Sequence, residues 1–411
     1  MITRQEFPYL QELVINDAYA VKNLRVPVFE PGQDFKHLVL TGRNGSGKTT
    51  VLRALSKVIK NATEIDDEAL RGNDLEGAIV NVLAKALEND SRERKNQTSV
   101  QVHFSRFDNT PYSGLLRFKN NAVIAFFEAS RKAEVRRVSS VTQENILASQ
   151  IEKATPEQPA VLLFKQYLVN KKVAQVFDAM DGKTEGAKQQ ELFFTRLRET
   201  LAKIFEDPKT ELEFVREEFE FYIKLSDGRR VTFNQLSAGF SAFLSILTEL
   251  LMRVDLLRKQ INNYDYDPCG FVLIDEPETH LHLEMQYQIL ALLNGIFPNF
   301  QLIVATHSPA VASSIENATI FDLSTGQVLG DTAAGSSFSE LMQTHFGLEN
   351  EYSNVADKIL EEVNEIGAMS DRKEALARMQ RLLDEQGRYM SPVLRLDVQA
   401  HLIHLQREQA A

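Results

Sequence analysis

Leu38-Val-Leu-Thr41-Gly42-Arg-Asn44-Gly45-Ser46-Gly47-Lys48-Thr49-Thr50 fits the pattern G-x-x-x-x-G-K-[ST] from Gly42 to Thr49. Such a loop wraps a polyphosphate in backbone amides and ends in a lysine and a magnesium-binding hydroxyl. Its surroundings agree: Leu38 to Thr41 reads as a short buried strand, and Thr49-Thr-Val-Leu-Arg-Ala-Leu-Ser56 as the start of a helix. Strand, glycine turn and helix together predict a nucleoside triphosphate site. Gly45 and Gly47 would permit close backbone approach, with Gly42, Asn44, Ser46 and Thr50 completing the loop. Lys48 would neutralise the β- and γ-phosphates, and Thr49 would ligate Mg2+.

The bulk numbers limit the alternatives. A chain of 411 residues exceeds the usual single-core size, so a main domain with appended or inserted parts is expected. Its longest apolar stretch, near Phe243 to Val254, is interrupted by Ser245, Thr248, Glu249 and Arg253. No segment reaches the ~20 apolar residues that span a bilayer. The N-terminus lacks the apolar core of a signal peptide, and the lone Cys269 cannot form an intrachain disulfide, so a cytoplasmic protein without a membrane partner is expected. A net charge of −11 gives no general attraction to nucleic acid, which would need a local basic patch. Arg92, Arg94 and Lys95 form one such cluster and Arg131, Lys132, Arg136 and Arg137 another, each read first as a solvated charged face.

The second half supplies what the loop lacks. Gly270-Phe-Val-Leu-Ile-Asp275-Glu276-Pro277-Glu278 is an apolar run ending in carboxylates, the form of a buried strand that delivers acids to the sheet edge where phosphates sit. Asp275 is placed to share Mg2+ with Thr49. Glu276 is then free to orient and deprotonate the attacking water. Gln301-Leu-Ile-Val-Ala-Thr306-His307-Ser308-Pro309 repeats the design, and a neutral His307 there could sense the γ-phosphate. Asn234-Gln-Leu-Ser237-Ala-Gly239-Phe240 opens an amphipathic helix, whose free amides favour an anion. Alone, that segment reads as a serine cap with a glycine turn.

In this order, the phosphate loop, the Leu-Ser-x-Gly helix start, the Asp275-Glu276 strand and the Thr306-His307-Ser308 strand resemble the ABC-type ATPases, over about residues 10 to 325. The resemblance implies that Ser237 and Gly239 dock on ATP held by a second copy, so that two chains sandwich the nucleotides. Phe240 stands where that family usually carries glutamine or glutamate, and the role of the family's glutamine-containing loop is left unassigned, since the stretch Asn121 to Arg131 at about the right place offers Glu128 and Arg131 instead. The long separation of loop and signature points to the RecF/SMC-like branch. Asp275-Glu-Pro-Glu-Thr-His280-Leu-His282, with the strand around His307, is similar to stand-alone bacterial AAA-type ATPases. These include the ATPase subunits of the Septu, retron and PARIS anti-phage systems and the ATPase half of the overcome-lysogenisation-defect nucleases. His280 and His282 lie near carboxylates, but their spacing fits a helix-entry turn better than a metal site.

The expected fold is therefore α/β, a P-loop NTPase of ABC type with mixed β-sheets, an inserted helical lid and a C-terminal helical region. Residues 1–130 would form an N-terminal lobe, 131–210 the lid, 211–325 a C-terminal lobe and 326–411 a helical assembly or partner-binding region. Before and within the lid, a helical face is expected at Ile79, Val82, Leu83 and Ala86, strands near 100–106 and 115–127, and helix from about Gln143 to Phe205. Leu212 to Val215 and Phe219 to Leu225 are expected to pair as a hairpin closed across Ser226-Asp227-Gly228-Arg229. Apolar stripes at Val355, Ile359, Val363 and Ile366, then Leu376, Met379 and Leu383, then Leu394, Val398, Leu402 and Leu405 predict three C-terminal helices.

The function expected from residues and resemblance together is Mg-ATP hydrolysis by a nucleotide-sandwiched homo-oligomer that switches a separately encoded effector, a nuclease or toxin, in bacterial defence. The competing class is a RecF-like ATPase that clamps DNA directly in repair or maintenance, which predicts DNA-stimulated, salt-sensitive turnover. An ATP-gated scaffold would need binding alone, and nothing in the sequence argues for a transporter motor.

Overall fold

A computed structural model describes residues 1–63, 99–106, 118, 121–131, 135–155, 158–329, 354–369 and 371–410. The expectations for Ile79 to Ala86, for the Arg92–Lys95 cluster, for Lys132 and for a strand beginning at Leu115 lie outside these residues. Residues Met1–Phe346 form one compact unit and Gly347–Ala411 a second.

In chain order the first unit contains strands β1 (Leu10–Ala18), β2 (Val21–Pro27) and β3 (His37–Thr41), helix α1 (Lys48–Thr63), strands β4 (Ser99–Phe104) and β5 (Val123–Phe127), and helices α2 (Glu144–Glu152), α3 (Phe164–Met180) and α4 (Thr184–Ile204). Strands β6 (Glu211–Val215), β7 (Glu220–Lys224) and β8 (Arg230–Thr232) then lead to helix α5 (Ala238–Ile261) and strand β9 (Gly270–Asp275). After short helices α6 (Leu283–Gln286) and α7 (Ile289–Ile296) come β10 (Phe300–Ala305), α8 (Pro309–Ala312), β11 (Ala318–Asp322) and β12 (Gln327–Leu329).

The central sheet has the order β12-β11-β3-β10-β9-β5. All its neighbours are parallel except β11 and β12. Every residue of β3, β9 and β10 is buried, which explains why their sequences are continuously apolar rather than alternating. The period of two instead divides them between two cores. Leu38, Leu40, Phe271, Leu273, Ile303 and Ala305 face one core with β1, β2, β4 and the apolar stripe of α1 at Val51, Leu52, Leu55 and Ile59. Val39, Val272, Ile274, Leu302 and Val304 face the other, with α2 to α5. Fully burying one such side chain stabilises by about 1.5–3 kcal/mol. The second layer is the antiparallel sheet β2-β1-β4, and the third sheet is β6-β7-β8. Architecture of the α/β class with mixed sheets is thus what the chain adopts.

Three local expectations change. The helical stretch 143–205 is divided into α2, a 3-10 turn at Ala160–Leu163, α3 and α4. The Asp227-Gly228 turn joins β7 to β8, while β6 and β7 are joined through Arg216–Glu218 and Phe219, whose φ is 47°. Arg131, read as part of a solvated face, is half-buried and bonded to main chain, as described below.

Helices α3 and α4 are tied to α5 by a buried polar cluster. Lys171 Nζ lies 2.5 Å from Asp255 Oδ2 and 2.9 Å from Gln190 Oε1. The Tyr167 hydroxyl donates to the same Asp255 oxygen, and Lys171 also sits over the rings of Tyr167 and Phe193. Burial holds the tyrosine proton in place by raising its pKa, with Asp255 adding to the effect.

The second unit consists of α9 (Asn354–Gly367), α10 (Arg372–Gln386) and α11 (Pro392–Ala410). Its core of Ile359, Val363, Ile366, Met379, Leu394, Val398 and Leu405 follows the predicted stripes, with Leu376, Leu383 and Leu402 partly buried against it. Val355 lies outside the residues whose side chains are described.

A candidate nucleotide site at one sheet edge

Parallel pairing brings three strand ends to one edge. Asp275 of β9 is in register with Ala305 of β10, and Ala305 with Leu40 of β3. The ladder continues past the strands: Thr306 N donates to Leu40 O at 3.0 Å and Glu276 N to Ala305 O at 2.8 Å. Phosphate loop, acidic pair and His307 therefore emerge side by side, where ligands bind in open α/β sheets.

The loop between β3 and α1 needs its glycines. Gly47 has a φ of 89°, and a Cβ there would lie 3.0 Å from the Ala18 carbonyl oxygen. Lys48 is curled into the loop: its Nζ donates to the carbonyls of Gly42 at 2.8 Å and Arg43 at 3.2 Å, and lies 3.4 Å from Ser46 Oγ. Burial lowers the ammonium pKa, opposed by the charges of Glu276, Asp275, Glu278 and Asp322. Arg43, Asn44 and Gly45 are exposed at the tip, and Thr49 and Thr50 are half-buried at the helix start. β11 braces the loop from its other side, since Ser324 Oγ accepts from Arg43 N at 2.7 Å and Asp322 Oδ1 accepts from Ser324 N at 2.7 Å. Neither residue was singled out in the sequence, because a serine and an aspartate after a strand look like any turn.

Thr49 Oγ1 donates to Asp275 Oδ1 at 3.1 Å, joining the two expected metal ligands. Burial raises the Asp275 pKa, and the Thr49 hydrogen bond works against that rise. A hydroxyl and a carboxylate are hard oxygen donors of the kind Mg2+ takes when substrate phosphates and water complete its shell. Thr41 Oγ1 and Glu278 Oε2 are buried near the strand ends without a hydrogen-bond partner among the described residues. The residues present thus fit a magnesium–polyphosphate ligand.

Glu276 has a φ of 45°, a left-handed conformation that costs a non-glycine residue about 1–3 kcal/mol and persists where its surroundings enforce it. Its Oε1 lies 4.0 Å from His307 Nε2, both side chains being half-exposed. Burial pushes the His307 pKa below the usual histidine range and the Lys48 charge adds to this, while Glu276 opposes it, so the imidazole is neutral at pH 7. The Glu278 carboxylate accepts from His307 N at 2.8 Å and is itself raised in pKa, chiefly by burial. It was not singled out in the sequence, although its position two residues after Glu276 was a usable signal.

Ser237 precedes α5 as its N-cap residue, is exposed, and makes no side-chain capping bond. Gly239 is buried, and a Cβ there would stand 2.4 Å from the His280 carbonyl oxygen. The glycine is thus required by packing within the chain. His280 has a φ of 66°, and His282 is the N-cap residue of α6.

A family model described as "AAA domain, putative AbiEii toxin, Type IV TA system" matches residues 38–313, from the loop strand to just past His307. The chain belongs to this AAA-domain family. Among relatives, "Retron Ec83 probable ATPase" of Escherichia coli is 40% identical over 93 residues, 23% of this chain and 17% of that one. "Septu protein PtuA" of Bacillus thuringiensis is 29% identical over 193 residues, 44% of this chain and 45% of that one. The chain thus spans less than half the length of either relative. An SmcHead bound to the C-winged helix domain of ScpA aligns over 77% of this chain and 94% of that one at 15% identity, with a TM-score of 0.36. The fold assignment of this AAA-domain protein rests instead on its own strand order and loop. Among the described residues no helix is long and apolar enough to cross a membrane.

Proposed function

We propose that this AAA-domain protein binds Mg-ATP and hydrolyses it within an assembly of its own copies, as an ABC-type switch that controls a separate effector, a nuclease or toxin, in bacterial anti-phage defence. The observation that carries the ATPase reading is the convergence of Lys48, Thr49, Asp275, Glu276 and His307 on one sheet edge. Lys48 exchanges its loop carbonyls for β- and γ-phosphate oxygens. Thr49 and Asp275 hold the metal, Glu276 orients and deprotonates water, and neutral His307 donates to or accepts from the groups around the γ-phosphate. Bound magnesium supplies charge neutralisation between the phosphates.

The exposed, uncapped Ser237 at the positive end of α5 supports a site completed in trans, with Gly239 keeping that helix end in place. The four-part division of the chain, with an inserted lid at 131–210 and a C-terminal assembly or partner-binding region at 326–411, belongs to the same proposal. The relatives named for a retron and for Septu support the defence setting.

Purified protein tests the first half. Lys48→Ala should lose nucleotide binding, and Glu276→Gln should bind ATP but turn over roughly 10²–10⁴-fold more slowly, trapping a larger assembly in light scattering. Normal turnover by Lys48→Ala overturns the reading. Co-purification from the native host tests the second half, with a stoichiometric nuclease or toxin expected and recovery with only repair factors or DNA contradicting it.

A further inference from the structure

Arg131 follows β5, the edge strand beside β9. Its Nη1 donates to the carbonyls of Glu128 and Asp275, each at 2.8 Å, and its Nη2 donates to the carbonyl of Glu276 at 2.8 Å. One planar guanidinium thus holds two consecutive carbonyls of the acidic turn, a fork geometry that lysine cannot reproduce. Burial lowers its pKa to about 10, so it remains a cation among Glu278, Asp275 and Glu276. The left-handed Glu276 is fixed from both ends of its peptide frame: its N–H by the Ala305 carbonyl, its C=O by Arg131 together with the amide and hydroxyl of Thr279.

The same segment reaches the signature. Val135 N donates to Asn234 Oδ1 at 2.9 Å, and Asn234 Nδ2 donates to Val135 O at 3.0 Å. Asn234 lies in the turn that leads into Ser237. Val135 is thus held to the turn before α5, and Arg131 to the main chain of the acidic pair.

We infer that Arg131 is a positioning residue for Glu276. The inference rests on reading Glu276 as the group that orients water. Arg131 donates to main chain through Nη1 and Nη2 and acts through the turn it holds.

The test uses full-length protein with Mg-ATP. Arg131→Met should lower kcat about 20-fold or more while the ATP dissociation constant stays within about threefold, the signature of an interaction that matters in the transition state. Arg131→Lys should recover only part of the loss. In a Glu276→Gln background, Arg131→Met should cause no further decrease, whereas an additive loss overturns the inference. Wild-type kcat in Arg131→Met also overturns it. If Glu276→Gln alone turns over normally, the hydrolytic reading of Glu276 fails, and amide exchange then decides the inference separately. Peptides covering residues 275–282 should exchange about tenfold faster in Arg131→Met. Unchanged exchange there overturns the positioning role whatever the turnover.

Discussion

The hydroxyl of Thr49 donates to the carboxylate of Asp275 across 3.1 Å, although 226 residues separate them. Each is the other's hydrogen-bond partner. Thr49→Ala or Asp275→Asn should therefore weaken magnesium-dependent ATP binding by about tenfold or more, a change of ~1.4 kcal/mol. Isothermal titration with and without Mg2+ checks this. Equal loss in both conditions would mean that the pair does not hold the metal.

Gly239 sets a second test. Because an added Cβ would stand 2.4 Å from the His280 carbonyl oxygen, Gly239→Ala must displace main chain. A loss of about 1–3 kcal/mol in unfolding free energy is expected, typical of overpacking. Ser237→Ala, at an exposed position, should leave stability within about 0.5 kcal/mol and reduce only the ATP-dependent assembly. Chemical denaturation and light scattering separate the two effects.

His37 gives a pH prediction. Its ring is buried at the start of β3, accepts from Leu302 N through Nδ1 at 3.0 Å, and is pushed down to about 4 by burial. The unfolded chain, with an ordinary histidine, binds the extra proton between pH ~6.5 and ~4, so stability is full above that window and falls as pH drops through it. A shift of that size corresponds to about 3 kcal/mol. Melting curves from pH 7 to 4 should show the decline, and His37→Gln should flatten it. An unchanged slope would show that other groups set the acid limb.

The Lys171–Asp255 pair is a stability test in the insert. Lys171→Met leaves Asp255 buried without its paired ammonium, at a cost of about 3–5 kcal/mol. Lys171→Met with Asp255→Leu should recover most of this, since two apolar groups replace a desolvated pair. Thermal unfolding of both variants against wild type checks the sign.

Much of this was legible because short motifs end apolar runs. Gly42 to Thr49, Asp275-Glu276 and Thr306-His307 each follow a strand buried on both faces, and such strands have one functional end. Arg131 was not legible: its acceptors are carbonyls, which no sequence displays, and its basic neighbours made it look like a solvated face. The hairpin was misread for a similar reason. Asp227-Gly228 is a genuine turn, but it serves β8, a strand of only three residues, while the turn before it depends on Phe219 in a conformation no propensity marks. Gly239 was noticed as a flexible glycine at an anion site, yet its packing against His280 required coordinates.

The cluster of Tyr167, Lys171, Gln190 and Asp255 has a mechanical meaning. Sliding α3 or α4 against α5 would strip a buried ion of its partner, at a cost of about 3–5 kcal/mol. Asp255 belongs to α5, whose N-cap residue is Ser237, so one buried polar network spans α3, α4 and α5. The three helices are keyed together by charge as well as by apolar packing.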